Sequence, residues 1–199
     1  MIIIVDNTKN LNNAFMTPKL INCLKDKNVE YTIISNRKQL YILLKKQPLV
    51  VKGIILSGGP LCLSEELTIS SISKNIAVLI KYNTIPILGI CFGFQLIIAS
   101  YGGMIESMKH KNTGKSVIYI KKRSPLFEGF TKEFIAYQEH KDKVRSIPPT
   151  LEIIATSSNG IIQAIQNDTL TRFGCQFHPE ALNNTHLIIY NFLKICYKE

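Results

Sequence analysis

The sequence predicts an α/β fold, a mostly parallel, doubly wound sheet with flanking helices and additional short antiparallel strands in the second half. Three observations carry this. The first hundred residues alternate strand-length apolar runs with segments of helical period, the pattern of repeated strand–helix units. The runs in that half are almost continuously apolar, as suits strands buried on both faces. Beyond residue 103 the pattern changes to short strands with polar turns and a single closing helix. A chain of 199 residues, 46% hydrophobic and 19% charged, is enough for one well-buried core, so one domain is expected over residues 1–199.

Residues 1–6 (Met-Ile-Ile-Ile-Val-Asp) form the first predicted strand; without a basic leading segment they do not resemble a signal peptide. Thr17-Pro18 resembles an N-cap with proline at the first helical position, opening a helix to about Lys27. A β-branched strand follows at 29–35, then a helix at 37–46 with Leu40, Leu43 and Leu44 at helical spacing. The third strand, 50–56, ends at Ser57-Gly58-Gly59-Pro60, a strong breaker. A helix over 65–81 places Ile69, Ile72, Ile76, Leu79 and Ile80 on one side. The fourth strand, 85–90, is entered through Pro86 and runs into a helix at 92–100 that stops at Gly102-Gly103. Short strands are expected at 116–121, 133–138, 151–156, 161–165 and 173–177, with the last helix near 184–197.

No apolar run reaches the roughly 18 residues that a membrane-spanning helix needs, so no membrane association is expected. The five cysteines (Cys23, Cys62, Cys91, Cys175, Cys196) are odd in number and lack metal-ligand spacing. They argue for a reducing, cytoplasmic compartment and against a metal site. The formal charge of +10 invites a nucleic-acid reading. The lysines are scattered, however, and no aromatic–basic stacking motif interleaves them. They read as a solvated surface able to attract an acidic partner or an anionic substrate. Neither Gly-x-Gly-x-x-Gly nor a Walker pattern is present, so no nucleotide cofactor is expected in this chain.

The most informative stretch is Gly89-Ile90-Cys91-Phe92-Gly93, where a strand runs directly into a helix. This is the layout of a nucleophile elbow with cysteine in place of serine. The backbone of such a residue is strained and lifted, strand and helix crowd together, and only glycine fits two positions to either side. The helix N-terminus favours a thiolate and any oxyanion formed beside it. A buried cysteine between ordinary glycine turns is the plain alternative. Cys23 and Cys196 fall in helical patterns and Cys175 in a strand, which leaves Cys62, in a loop, as the other candidate for an exposed thiol.

A thiolate needs a histidine, and the histidine needs an orienting group. Of His110, His140, His178 and His186, His178 stands at the end of an apolar strand in Gly174-Cys175-Gln176-Phe177-His178-Pro179-Glu180. In an extended segment residues two apart point the same way, so Glu180 could hold the far imidazole nitrogen while Pro179 keeps the backbone extended.

Taken together, Leu56-Ser57-Gly58-Gly59-Pro60, the Gly89–Gly93 elbow with Gln95, and the segment from Gly174 to Glu180 resemble the class I (triad) glutamine amidotransferases over nearly the whole chain. That resemblance implies a flavodoxin-like fold and hydrolysis of L-glutamine to glutamate and ammonia. Cys91 would attack the side-chain amide, His178 would pass a proton to the leaving ammonia, and Glu180 would orient His178. It implies oxyanion donors at the Gly59 and Phe92 N–H groups, a substrate-holding role for Gln95, and contacts to the substrate head from the Glu139-His140 backbone. It also matches Asp142 to an aspartate at the subunit interface or site rim.

Within the class, Ile54 to Pro60, Glu133 to Val144, Ile147-Pro148 and Asn191 to Cys196 are most similar to the glutaminase subunit of two-subunit GMP synthases. The implied partner is an ATP-pyrophosphatase (synthase) subunit in a heterodimer, carrying ATP and magnesium and aminating XMP to GMP. Anthranilate and aminodeoxychorismate synthase subunits usually carry Pro-Gly-Pro at residues 58–60 and Ser at residue 181, where this chain has Gly-Gly-Pro and Ala181. A stand-alone γ-glutamyl hydrolase and a non-catalytic module are further alternatives; the intact Cys91, His178 and Glu180 argue against the latter. The chain departs from the family in the loop after Asp6, at Phe94 (usually His or Met), at Glu139 (usually Ser) and after Glu180.

Overall fold

The computed structural model describes residues 1–8, 16–34, 50–64 and 84–198. The helices expected at 37–46 and 65–81 lie outside the described residues. Strand β1 (Ile2–Val5) is apolar on both faces because both faces are covered. Ile2 and Ile4 pack into the cluster containing Leu20, Leu24, Ile188 and Phe192, whereas Ile3 and Val5 pack with Phe94, Ile97 and Ile98. The helices concerned are α1 (Thr17–Lys25), α2 (Phe92–Ser100) and α3 (His186–Tyr197).

Among the described residues nine strands form one sheet, in the order β2-β1-β3-β4-β9-β8-β7-β5-β6. The first five positions, β2 (Tyr31–Ile34), β1, β3 (Gly53–Leu56), β4 (Ile87–Ile90) and β9 (Arg172–Cys175), are parallel. From β9 onward, β8 (Ile162–Asn167), β7 (Leu151–Ser157), β5 (Met104–Ile120) and β6 (Glu133–Ser146) are antiparallel. The chain leaves β1 to one side for β2 and returns to the other for β3. That reversal puts the ligand-binding crevice at the C-terminal ends of β1, β3 and β4.

Three expectations are corrected in detail. Helix α1 begins at Thr17, with Met16 at the cap, and the Thr17 hydroxyl donates to Asp6 Oδ1 (3.0 Å) instead of capping. β5 and β6 are not short. They run for 17 and 14 residues, and because β5 meets β7 only over Ile118–Ile120, the remainder is a two-stranded ribbon extending past the sheet. The segment after His178 is not extended: the Ala181 N–H donates to the His178 carbonyl (3.2 Å), closing a turn at Pro179.

Candidate active site

Cys91 sits at the end of β4 with φ 51° and ψ −104°, a left-handed conformation that costs an L-residue about 1–3 kcal/mol. Its N–H donates to the Cys175 carbonyl of β9 (2.8 Å), and its carbonyl accepts from Gln95 in the first turn of α2 (3.1 Å). The two glycines are required by identifiable atoms. A Cβ on Gly93 would lie 2.3 Å from the Leu56 carbonyl oxygen, and one on Gly89 would lie 2.5 Å from the Gly93 oxygen.

Cys91 is 5% exposed, and its sulfur lies 3.6 Å from the Glu139 carbonyl oxygen and 3.8 Å from Gln176 Nε2, which donates to it. His178 Nδ1 donates to Glu180 Oε1 at 2.9 Å, with both side chains buried, and His178 lines the same cavity as Cys91. Burial by itself pushes the His178 pKa down. The Glu180 carboxylate and the Cys91 sulfur outweigh it and hold the imidazole well above its ordinary range. The second Glu180 oxygen is buried with no hydrogen-bond partner among the described residues. A protonated His178 therefore supplies the charge compensation that this buried carboxylate needs.

The strand-end loop 57–64 forms the facing wall. The Ser57 hydroxyl donates to the Gly58 carbonyl (2.8 Å) and accepts from the Asn7 N–H (2.9 Å), which pins the peptide that carries the Gly59 N–H. Asp142 is buried in the wall, not displayed on an open surface, and accepts from both the N–H (2.8 Å) and the hydroxyl (2.6 Å) of Ser64. His140 donates from Nδ1 to the Asp142 carbonyl (2.7 Å); burial pushes its pKa down, and nearby His178 adds to that. Gln95 spends its amide on Gln176 Oε1 (3.2 Å) and the Asp142 carbonyl (3.4 Å). The Glu139 side chain pairs with Lys111 (2.9 Å).

These residues enclose a cavity of about 610 Å³. It is lined by seven of the eight expected site residues, namely Cys91, His178, Gly59, Phe92, Gln95, Glu139 and His140, while Glu180 stands behind His178. Cys62, half-buried, is also in its wall. Cys23, Cys175 and Cys196 are buried free thiols elsewhere, all with pKa values pushed up by burial, Cys23 to about 12. The motifs in the sequence gave no role to the side chains of Gln176, Ser64 or Lys111. The first shares the period-two spacing of His178 and Glu180; the other two carry no local signal. Among the described residues no cluster of side chains suits a metal ion, and no helix is long and apolar enough to cross a membrane.

A sequence profile described as "Glutamine amidotransferase class-I" matches residues 7–196. A subunit of the glutamine-hydrolyzing GMP synthase of Methanococcus vannielii is 37% identical over 148 residues, covering 73% of this chain and 74% of the relative. The subunit of the same name from Methanocaldococcus jannaschii is equally similar. A glutamine-hydrolyzing GMP synthase of Finegoldia magna is 35% identical over 87% of this chain, which spans 33% of that protein. Among solved structures, a GMP synthase subunit protein from Thermoplasma acidophilum superposes with a TM-score of 0.82. It is 25% identical, with coverage of 99% of this chain and 94% of that one. A glutamine amidotransferase from Thermotoga maritima shares the fold at a TM-score of 0.72 and 20% identity.

Proposed function

The chain belongs to the class I glutamine amidotransferase family, and from that premise we propose that it is the glutaminase subunit of a two-subunit GMP synthase. It hydrolyses L-glutamine to glutamate and ammonia through Cys91, His178 and Glu180. The ammonia passes to an ATP-pyrophosphatase subunit that binds ATP and magnesium and aminates XMP. The observation that carries the catalytic part is the strained Cys91 at a helix N-terminus, sharing its cavity with an imidazole that is itself held by a buried carboxylate. The relatives that share three quarters of their length with this chain support the acceptor.

The Cys91 thiolate attacks the amide carbon of glutamine, and the carbonyl oxygen becomes an oxyanion facing the Gly59 and Phe92 N–H groups. Each such donor is worth about 3 kcal/mol in comparable acyl transfers. His178, protonated while paired to Glu180, gives its proton from Nε2 to the departing nitrogen, and ammonia leaves. Neutral His178 then takes a proton from water, whose hydroxide attacks the γ-glutamyl thioester. Collapse releases glutamate and restores the thiolate–imidazolium pair. Gln95 and the Glu139-His140 backbone hold the substrate. Gln176, donating toward the sulfur, stabilises the thiolate between turnovers.

The acceptor is tested by titrating a candidate ATP-pyrophosphatase subunit, with ATP, magnesium and XMP, into this chain and measuring glutamate and GMP together. Matched production of both is expected. Glutamate release stimulated only by an anthranilate or aminodeoxychorismate synthase partner with chorismate would reassign the acceptor and leave the glutaminase reading intact.

A further inference from the structure

The loop that carries the Gly59 N–H is held by side chains that take no part in the triad chemistry. Strand β3 lies between β1 and β4, so Asn7, just past β1, and Cys91, just past β4, flank residues 57–59 from opposite sides. Each glycine faces one of them. A Cβ on Gly58 would lie 2.8 Å from His178 Cε1 and 3.5 Å from Cys91 Cβ, whereas one on Gly59 would lie 2.8 Å from the Asn7 carbonyl oxygen. Ser57, 3% exposed, is tied to the β1 side. Its carbonyl accepts from Asn7 Nδ2 (2.7 Å) and its hydroxyl oxygen accepts from the Asn7 N–H (2.9 Å).

The Ser57 hydroxyl has one proton and two acceptors within reach, the Gly58 carbonyl at 2.8 Å and Asp6 Oδ1 at 3.4 Å. Asp6 has other donors. Thr17 Oγ1 donates to Oδ1 (3.0 Å), and Thr8 donates its N–H to Oδ1 (3.4 Å) and its hydroxyl to Oδ2 (2.6 Å). The shorter bond, to Gly58, therefore keeps the proton, and it turns the Gly58 carbonyl toward β1. A trans peptide points its N–H opposite to its carbonyl. The Gly59 N–H is thus turned toward β4 and Cys91. Among the described residues nothing accepts from that N–H, and Gly59 lines the cavity. With glycine on both sides, the peptide would otherwise rotate at little cost.

Resting on the glutaminase reading, we infer that Ser57 is a positioning residue: with Asp6 kept occupied by Thr8 and Thr17, its hydroxyl latches the Gly58–Gly59 peptide so that the oxyanion donor faces the nucleophile before any partner is bound. The latch acts on acyl transfer, where an oxyanion forms, and leaves the thiol itself unchanged. The donor is already turned inward in the free chain, so a synthase subunit is not needed to turn it.

The experiment uses the whole chain without a partner. Release of p-nitroaniline from L-γ-glutamyl-p-nitroanilide forms the thioester through an oxyanion. Alkylation of Cys91 by iodoacetamide displaces iodide and forms none. Ser57→Ala is expected to lower kcat for release by a factor of about ten to a hundred, short of the loss on deleting a donor outright, with KM and the alkylation rate within about twofold of wild type. Thr17→Val opens Asp6 Oδ1 to the Ser57 proton and should lower kcat about threefold with the same two readings unchanged. It decides the question if the Ser57 variant fails to fold. Unchanged release, or an equal loss in release and alkylation, would overturn the inference. So would release by the wild-type chain that begins only when an ATP-pyrophosphatase subunit, ATP, magnesium and XMP are added, and the glutaminase reading would then stand. If the wild-type chain releases nothing under either condition, that reading fails with it.

Discussion

The β4–α2 elbow and the β5–β6 ribbon face each other across one cavity and hold their residues by different forces. At the elbow, Cys91 is fixed by backbone sterics: a left-handed φ, a strand hydrogen bond to Cys175, and glycines two positions away that touch Leu56 and each other's peptides. On the ribbon, Glu139, His140 and Asp142 are fixed by side-chain relays to Lys111, Gln138 and Ser64, with the strand beneath them broken by a bulge. His178 joins the two, its backbone N–H donating to Tyr137 of β6 (2.9 Å) and its side chain lining the cavity with Cys91. A change at the elbow therefore acts as a switch, whereas a change on the ribbon adjusts affinity by degrees.

The sharpest break in that comparison is Cys91→Ala. Glutamine-dependent synthesis by the complex is expected to fall by a factor on the order of 10⁴ or more, because no other group lies at the elbow to form the thioester. Synthesis from added ammonia should persist. Retention of normal glutamine-dependent activity would remove Cys91 from the mechanism.

Glu180→Gln comes next, with a loss of about 10³-fold in turnover and little change in glutamine KM. It also sets the two histidines of the cavity against each other. His140 and His178 are both buried, yet their pKa values move in opposite directions: the Glu180 carboxylate on His178 Nδ1 helps to outweigh burial there, whereas at His140 burial prevails over Asp142. Without that carboxylate, burial dominates at His178 as it does at His140, so the alkaline limb of the pH–rate profile should shift toward lower pH. The sign for stability follows. A folded pKa raised above 6.5 contributes stability that is fully present below pH 6.5 and is lost as pH rises through the raised value. Pairwise melts of wild type and variant across that range should show the slope in the wild type alone. An unmoved alkaline limb would mean that Glu180 does not set the imidazole.

At the elbow's frame, Gly93→Ala places a methyl 2.3 Å from a backbone oxygen and 2.7 Å from Leu56 Cβ, neither of which can rotate away. A cost of about 3 kcal/mol is expected, a fall in Tm of roughly 6–12 °C for a chain of this size. Activity should fall with it as Cys91 shifts. Thermal unfolding within a degree of wild type would show that the strand and helix are not in the contact described.

These effects track what could be read from the residues. The apolar period of β1, β3 and β4 and the spacing of Gly89, Cys91 and Gly93 announced the parallel half and its elbow, because buried strands and a steric cage each permit few residue types. The ribbon left almost no trace. Residues 104–115 are largely polar, since a two-stranded extension covers no continuous apolar face, and over 138–143 the alternation in β6 is between buried polar residues, Gln138, His140 and Asp142, and more exposed polar ones, Glu139, Lys141 and Lys143. Period-two analysis detects apolar alternation and misses this one. The contacts of Lys111 with Glu139 and of Ser64 with Asp142 span 28 and 78 residues, and nothing local encodes them. The turn at Pro179 was also hidden, because the same two-residue spacing brings His178 and Glu180 together whether the chain is extended or folded back.

The smallest expected effect tests the side-chain tie between the ribbon and the loop that carries Gly59. Asp142 accepts two hydrogen bonds from Ser64, at 2.8 Å from the N–H and 2.6 Å from the hydroxyl, and it is 2% exposed. Asp142→Asn keeps the shape but removes the charge; its amide oxygen still accepts from the Ser64 N–H and its Nδ2 donates to the Ser64 hydroxyl oxygen, so both charge-assisted bonds become neutral ones. Hydrogen bonds to a charged group are worth about 1.5–3 kcal/mol and neutral ones about 1 kcal/mol, so exchanging two of the first for two of the second weakens the tie by about 1 kcal/mol at the least. The loop that holds Gly59 and Pro60 is then less ordered before substrate arrives, and binding must restore that order. Glutamine KM should rise about five- to tenfold with turnover nearly unchanged, because the ordered loop and its oxyanion donor are the same once the substrate is bound. Ser64→Ala removes the hydroxyl bond alone, one charge-assisted bond, and should raise KM by a comparable factor. A fall in turnover at constant KM would place the Asp142–Ser64 tie in the transition state, and the ribbon would then share the elbow's role.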